Sequence, residues 1–321
     1  QKIRPEPLKP EEQRMVRRSD SIQAIRESQE FKDSMEALYN KVTLSEILYD
    51  GVGFRKGEER WLFMSSLLSL TEFQIVGGFR FGPYFTYFKR FTKTGRFFVT
   101  SANVNIGVKN ADPQGNFSLR YRYDPMKFAD LWFYVGRNFS SINWFDAYLN
   151  QLKVSNYILV DNLNFGMRRE LVNGLFAYGG FSFQDRRSVE QYDSKTFINR
   201  LVGDPDPLSF DNYQAFTTTL ELSYTPAQRY ITEPNRKIIV GSRYPTFTIE
   251  HRKGWPKVMS SDANYDYLEF NISQKIPMGI FGSSRYRFTT GTFVNTKELP
   301  FIDYKRFRQS DPWLYSNPLY S

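Results

Sequence analysis

From Glu72 onward, apolar and polar residues alternate along the chain with a period of two, in runs of about ten residues. The clearest run spans 116–124, where Phe117, Leu119, Tyr121 and Tyr123 alternate with Asn116, Ser118, Arg120 and Arg122. Successive side chains of a strand point to opposite faces, so one face of this run is aromatic and aliphatic, the other polar and cationic. The same alternation sets Ala102, Val104 and Ile106 against Ser101, Asn103 and Asn105, and Leu163, Phe165 and Met167 against Asn162, Asn164 and Arg168. It returns in Leu220, Leu222 and Tyr224 against Thr219, Glu221 and Ser223, and in Leu268, Phe270 and Ile272 against Glu269, Asn271 and Ser273. These patterns predict about eleven strands, near 72–81, 84–92, 96–108, 115–124, 130–139, 157–168, 174–187, 213–225, 237–252 (kinked at Pro245), 264–276 and 284–295.

The chain before Glu72 reads differently. Residues 1–12 hold three prolines and read as an extended linker, and 11–49 lack Gly and Pro and read as helix with a ragged stripe of Met15, Ile22, Ile25, Met35 and Leu38. Residues 50–60 read as a glycine-broken turn and 61–70 as a short apolar segment flanking the strands. The division is therefore a linker and helical lead-in over 1–71 and a strand domain over 72–321.

Connection lengths add a separate signal. The connections at 109–114, 140–156, 188–212, 253–263 and from 296 onward are long, whereas 93–95, 125–129 and 169–173 are short, with 226–236 an exception. Long loops at one end, short turns at the other and ten-residue alternating strands make the expected fold class all-β, an antiparallel transmembrane β-barrel. An odd strand count leaves unpaired edges, which lipid does not tolerate. The expectation is that the barrel is incomplete here and that the polypeptide continues past Ser321.

Composition sharpens this picture. Aromatics make up 17% of the chain and sit in the strand runs, and no stretch of about 18 apolar residues offers a membrane helix. A mean hydropathy of -0.52 does not oppose a barrel, because polar interior residues and loops dilute it. The chain has no cysteine and one histidine, His251, which leaves no thiolate site and speaks against a histidine-based triad or zinc site. A net charge of +9 is spread through strands and loops, fitting a cationic interior or anionic headgroups better than nucleic acid. Gln1 opens a polar run that does not read as a signal peptide, and the expectation is that such a segment has been removed or that the chain is a piece of something larger.

Candidate chemistry is sparse. Glu250 and His251 are neighbours in a strand and point to opposite faces, so they do not act on one substrate. Asp204, Asp206 and Asp211 have oxygen-ligand spacing, but Pro205 and Pro207 stiffen the loop and an ordinary acidic loop is the preferred reading. Arg120, Arg122, Arg168 and Arg186 fall on the polar face with Glu221 and Glu269; they line an anion-favouring path or pair with those glutamates in a packed interior, and both readings stay open. No cofactor, metal or enzymatic role is expected.

Several separated segments carry a family resemblance: RPEPLKPEE, FQIVGGFRFGPYFTYFKRF, SNYILVDNLNFGMRRELVNGLF, RYPTFTIEHRKGW and TGTFVNTKELPFIDYKRF. They resemble a Bacteroidota outer-membrane family of undetermined activity, whose members carry an N-terminal carboxypeptidase-regulatory-like sandwich that this chain does not include. A more distant similarity is to the BamA-like outer-membrane barrels. Pro245, Phe247, Ile249, Arg252 and Gly254 match the strand pattern of that superfamily, and Gly291, Leu299, Pro300 and Phe307 match the strand and loop that follow; its Arg-Gly-aromatic loop tip is missing. The resemblance implies about eleven strands of sixteen before a loop that folds into the lumen, with Leu299, Pro300, Asp303, Arg306, Phe307 and Asp311 as lid residues. It implies a bacterial outer-membrane protein with a periplasmic N-terminal segment, in contact with outer-membrane lipid and with other outer-membrane or periplasmic proteins. The implied role is assembly, secretion or transport; the alternative is a structural barrel of a larger complex. A BamA-like role further implies a weakly paired first strand, thinned by Gly77, Gly78 and Gly82.

Overall fold

The computed structural model describes residues 9–306, apart from 58, 145, 194, 195, 197, 199, 200, 202, 204 and 205. Two helices lead in, α1 Pro10–Glu27 and α2 Gln29–Tyr39. They part at Ser28, whose hydroxyl accepts a hydrogen bond from the Phe31 amide at 3.3 Å and so starts a new helix.

The sheet begins earlier than the alternation suggests. β1 Val52–Lys56 and β2 Arg60–Met64 form a hairpin on residues 50–60, expected to be only a turn, and on the segment expected to flank the strands. Five-residue strands are too short to show a period, and Gly57 and Glu59 belong to the hairpin's own turn. β3 Thr71–Gln74 and β4 Gly78–Phe81 follow as a second hairpin where one strand was expected. Gly77 and Gly78 take φ of +80° and +75° there, which only glycine adopts without strain. These glycines thus make a turn and do not thin an edge strand.

Next come β5 Tyr84–Phe91, β6 Arg96–Gly107, β7 Pro113–Asp124, β8 Ala129–Ser141, β9 Tyr157–Val172, β10 Leu175–Arg187 and β11 Tyr213–Tyr224. The strand expected over 237–252 is two. β13 Arg236–Gly241 pairs only with β12 Arg229–Glu233, and β14 Thr246–Gly254 returns to the sheet after Pro245. β15 Asn264–Pro277 and β16 Ser283–Glu298 complete it.

The result is one antiparallel sheet of 14 strands, in the order β1-β2-β5-β6-β7-β8-β9-β10-β11-β14-β15-β16 with β3 and β4 off this path. Among the described residues β1 and β16 are its edges, and the two are not paired with each other. The described residues of the connections 108–112, 142–156, 188–212 and 255–263, with 299–306, gather at one end, the long-loop end. The opposite, short-turn end carries 57 and 59, 92–95, 125–128, 173–174, 278–282 and the β12–β13 hairpin.

Two chords show that the sheet curves with its polar face concave. Arg306, eight residues after β16 ends, donates to the Ile142 carbonyl beside β8 at 3.2 Å. A flat sheet would put β16 and β8 roughly 29 Å apart. Eight residues reach about 28 Å only when fully extended, and Phe301–Asp303 are wound into a helical turn. At the other end, Asn235 at the tip of β12–β13 donates to the Thr92 carbonyl at 2.9 Å, reaching from β11 across to the β5–β6 turn.

The apolar face stays in register across the sheet. Leu119 faces Phe133, Phe133 faces Phe165 and Phe165 faces Phe181, with the Phe165, Phe181 and Phe216 rings stacked at 5.7 and 5.9 Å. At the long-loop end the start of β9 is covered on both faces, and Ile158, Leu159 and Val160 are all buried. There Val76 of the β3–β4 turn packs with Val154, Leu159 and Val189.

Candidate functional site

Register alone assembles a charged row on the polar face. Arg122 of β7 faces Asp130 of β8, Asp130 faces Arg168 of β9, and Arg168 faces Tyr178 of β10. Tyr178 faces Glu221 of β11, which faces Glu250 of β14, which faces Glu269 of β15. The row runs from cationic to acidic across seven strands of one concave surface.

In the cationic half, one carboxylate pairs with two of the arginines. Arg122 donates to Asp130 through Nε at 2.7 Å and Nη2 at 2.7 Å, and Arg120 adds Nη2 at 2.9 Å. Asp130 is buried, and the guanidinium of Arg122 also lies 5.2 Å from the Phe97 ring centroid. Arg168 stacks on Phe176 at 4.7 Å. Arg120 and Arg122 thus pair with Asp130 and not with Glu221 or Glu269, the partners that one of the two sequence readings gave them. A short turn at 125–128 holds Arg122 opposite Asp130, whereas the glutamates lie strands away.

In the acidic half, Glu250 accepts from Arg252 at 2.8 Å. Glu269 accepts the Tyr267 hydroxyl at 2.8 Å and pairs with Lys305. Gly291 opposite Glu269 leaves space for that tyrosine, since a Cβ there would lie 2.3 Å from its hydroxyl. The three glutamates open on a cleft with Thr248, Asn271 and Arg287.

Closer to the long-loop end, the chain after β16 folds back over this surface. Leu299 packs against the buried cluster of Ala215, Ala263, Tyr265 and Tyr267. Pro300 opens the helical turn, and Asp303 receives both Nη1 and Nη2 of Arg186 at 2.7 and 2.8 Å. Arg186 also donates to the Tyr213 hydroxyl at 2.8 Å and through Nε to Gln184 at 2.8 Å. Both members of the Arg186–Asp303 pair are buried, with side chains 7% and 8% exposed. Arg306 closes the segment by donating to the Phe301 carbonyl at 2.9 Å; burial lowers its proton affinity, which Asp303 and Tyr213 oppose. Of the expected lid residues, Leu299, Pro300, Asp303 and Arg306 lie across the polar face, while Phe307 and Asp311 fall outside the described residues.

At the short-turn end, Glu170 is buried and accepts from the Gly174 amide at 3.1 Å, Gln228 at 3.3 Å and Lys237 at 2.6 Å. This anchors the β12–β13 hairpin below the row. Asp130 and Glu170 are absent from the sequence candidates, and Glu250 enters there only as the rejected partner of His251. Asp130 was legible through the hairpin register with Arg122; Glu170 was not, because its partners come from a distant hairpin.

The remaining candidates do not converge. Glu250 lies on the polar face, and His251 on the apolar one with Nε2 3.2 Å from Asp266. Asp204 falls outside the described residues, and no group of three potential metal ligands occurs among those described.

Residues 45–321 match the family model described as family of unknown function (DUF5686), C-terminal domain, so the chain belongs to that family. No curated protein and no solved structure matches the chain.

Proposed function

We propose that this family member is a non-enzymatic outer-membrane β-barrel protein that acts in assembly, secretion or transport across that membrane. The observation that carries the reading is the exposed apolar face. Val104, Phe117, Val135, Phe165, Phe181, Leu220, Ile249, Leu268 and Phe288, from nine successive strands of the sheet, are all exposed on it. Soluble monomers rarely leave apolar patches larger than a few hundred Å² in water, whereas lipid-facing strands require such a surface. A polar concave face is the matching interior.

Within this reading the charged row lines the lumen and the segment 299–306 is its lid, latched by Arg186 and Asp303. Releasing the latch uncovers the acidic cleft. Outer-membrane lipid and neighbouring outer-membrane or periplasmic proteins are the proposed contacts, with α1 and α2 on the periplasmic side. A second reading, a structural barrel in a larger complex, draws on the crossing of both ends, by 299–306 and by β12–β13. Depletion in cells separates the two. Loss of other outer-membrane proteins is the expected result, and their unchanged abundance would leave the structural role. Full solubility without detergent would remove both.

A further inference from the structure

A second cationic row lies on the apolar face, at its border with the short-turn end. Lys56 of β1 faces Arg60 of β2, and Arg60 faces Lys89 of β5. All three share the face of Phe54, Leu62 and Tyr87, which make the adjoining row. One step further toward the turns, Arg96 of β6 faces Phe91. Like charges directly opposite in a sheet repel, and among the described residues no carboxylate pairs with any of the four. Glu59, in the turn between β1 and β2, has its carboxylate engaged by the Thr92 hydroxyl at 2.7 Å. Among the described residues, therefore, the row has no carboxylate in direct contact with it.

The surroundings identify the row's counterpart. Lys56, Arg60 and Arg96 are exposed and Lys89 is half-buried, its ammonium 4.7 Å from the Phe91 ring centroid. Leu62 and Phe54, toward the middle of the sheet, are exposed apolar side chains. Long cationic side chains beside aromatic rings, at the rim of an apolar band, are placed to lay their stems on hydrocarbon and their charges at headgroup depth. We infer that Lys56, Arg60, Lys89 and Arg96 form a docking row for anionic phospholipid headgroups of the leaflet at the short-turn end. The inference rests on the membrane-spanning reading.

The test is folding of the full chain into vesicles of neutral phosphatidylcholine or of phosphatidylcholine with about 30% phosphatidylglycerol. Insertion is read as the protease-protected, heat-modifiable fraction. Insertion into both, with a preference for the anionic vesicles that falls as NaCl rises from about 50 to about 500 mM, is expected. Replacing the four cations by Gln should reduce that preference by roughly fivefold for each charge removed, while leaving insertion into neutral vesicles intact. Lys257→Gln with Lys297→Gln, at the long-loop end, should change nothing. Inorganic phosphate at matched ionic strength should not compete, because the row engages headgroups held in a bilayer.

Equal insertion of the wild-type chain into neutral and anionic vesicles would overturn the row and leave the membrane reading standing. So would a preference that survives the four substitutions, or competition by free phosphate. Failure to enter either vesicle would overturn the membrane reading itself, and the row with it.

Discussion

Arg186 and Asp303 anchor the segment proposed above as a lid. Arg186 and Asp303 are buried together, so removing the carboxylate leaves a desolvated guanidinium without its counter-charge, an effect of about 3–5 kcal/mol. Asp303→Ala should release the segment that carries Lys305 and Arg306, and trypsin should cut there faster than in the wild type. An unchanged cleavage rate would show that the hydrophobic seat of Leu299 holds the segment alone. The acidic row makes the opposite kind of prediction. Glu221 faces Glu250, and Glu250 faces Glu269, so three like charges adjoin. Glu221→Gln should therefore stabilise the chain, by about 0.2–1 kcal/mol, read as a higher urea midpoint. A lower midpoint would mean that the cleft draws more from its charge than it loses to repulsion.

Among the elements, the β12–β13 hairpin is the one that sequence periodicity misjudges most. Its second strand and β14 merge into one alternating run, and only Gly241 and Pro245 mark the break. The hairpin is held at its base by Gln228 on Glu170, near its tip by Lys237 on the same carboxylate, and at the tip itself by Asn235 on the β5–β6 turn. Gly95 in that turn has φ of +68°, and a Cβ there would lie 2.3 Å from the Asn235 carbonyl. Gly95→Val should therefore push the tip away. The native chain has no cysteine, so a Thr92→Cys, Asn235→Cys pair reports this contact directly. Oxidation should cross-link the pair in the otherwise native background, and adding Gly95→Val should slow it. No cross-link in the native background would place the tip elsewhere.

For the whole molecule, the two faces make one prediction. The exposed apolar side chains form a continuous surface over the convex side, while the concave side is polar and crossed by chain at both ends. The purified chain should need detergent to stay dispersed, and should partition with the detergent phase. Sedimentation as a monodisperse species in plain buffer would show that the apolar face is covered by something other than lipid.

The alternation of side chains determined the extended, antiparallel character of the sheet and the sorting of its faces, because a period of two is a local property that needs no distant partner. It also placed Arg122 opposite Asp130, since a turn as short as 125–128 leaves little choice of register. The tertiary structure alone decided the rest. The hairpin β1–β2 was too short to carry a period, and the split between β13 and β14 was hidden inside a longer one. Arg186 found Asp303, and Glu170 found Lys237, across 117 and 67 residues of chain. Nothing along a strand encodes such meetings; they exist because the sheet curves and brings its own loops back over its polar face.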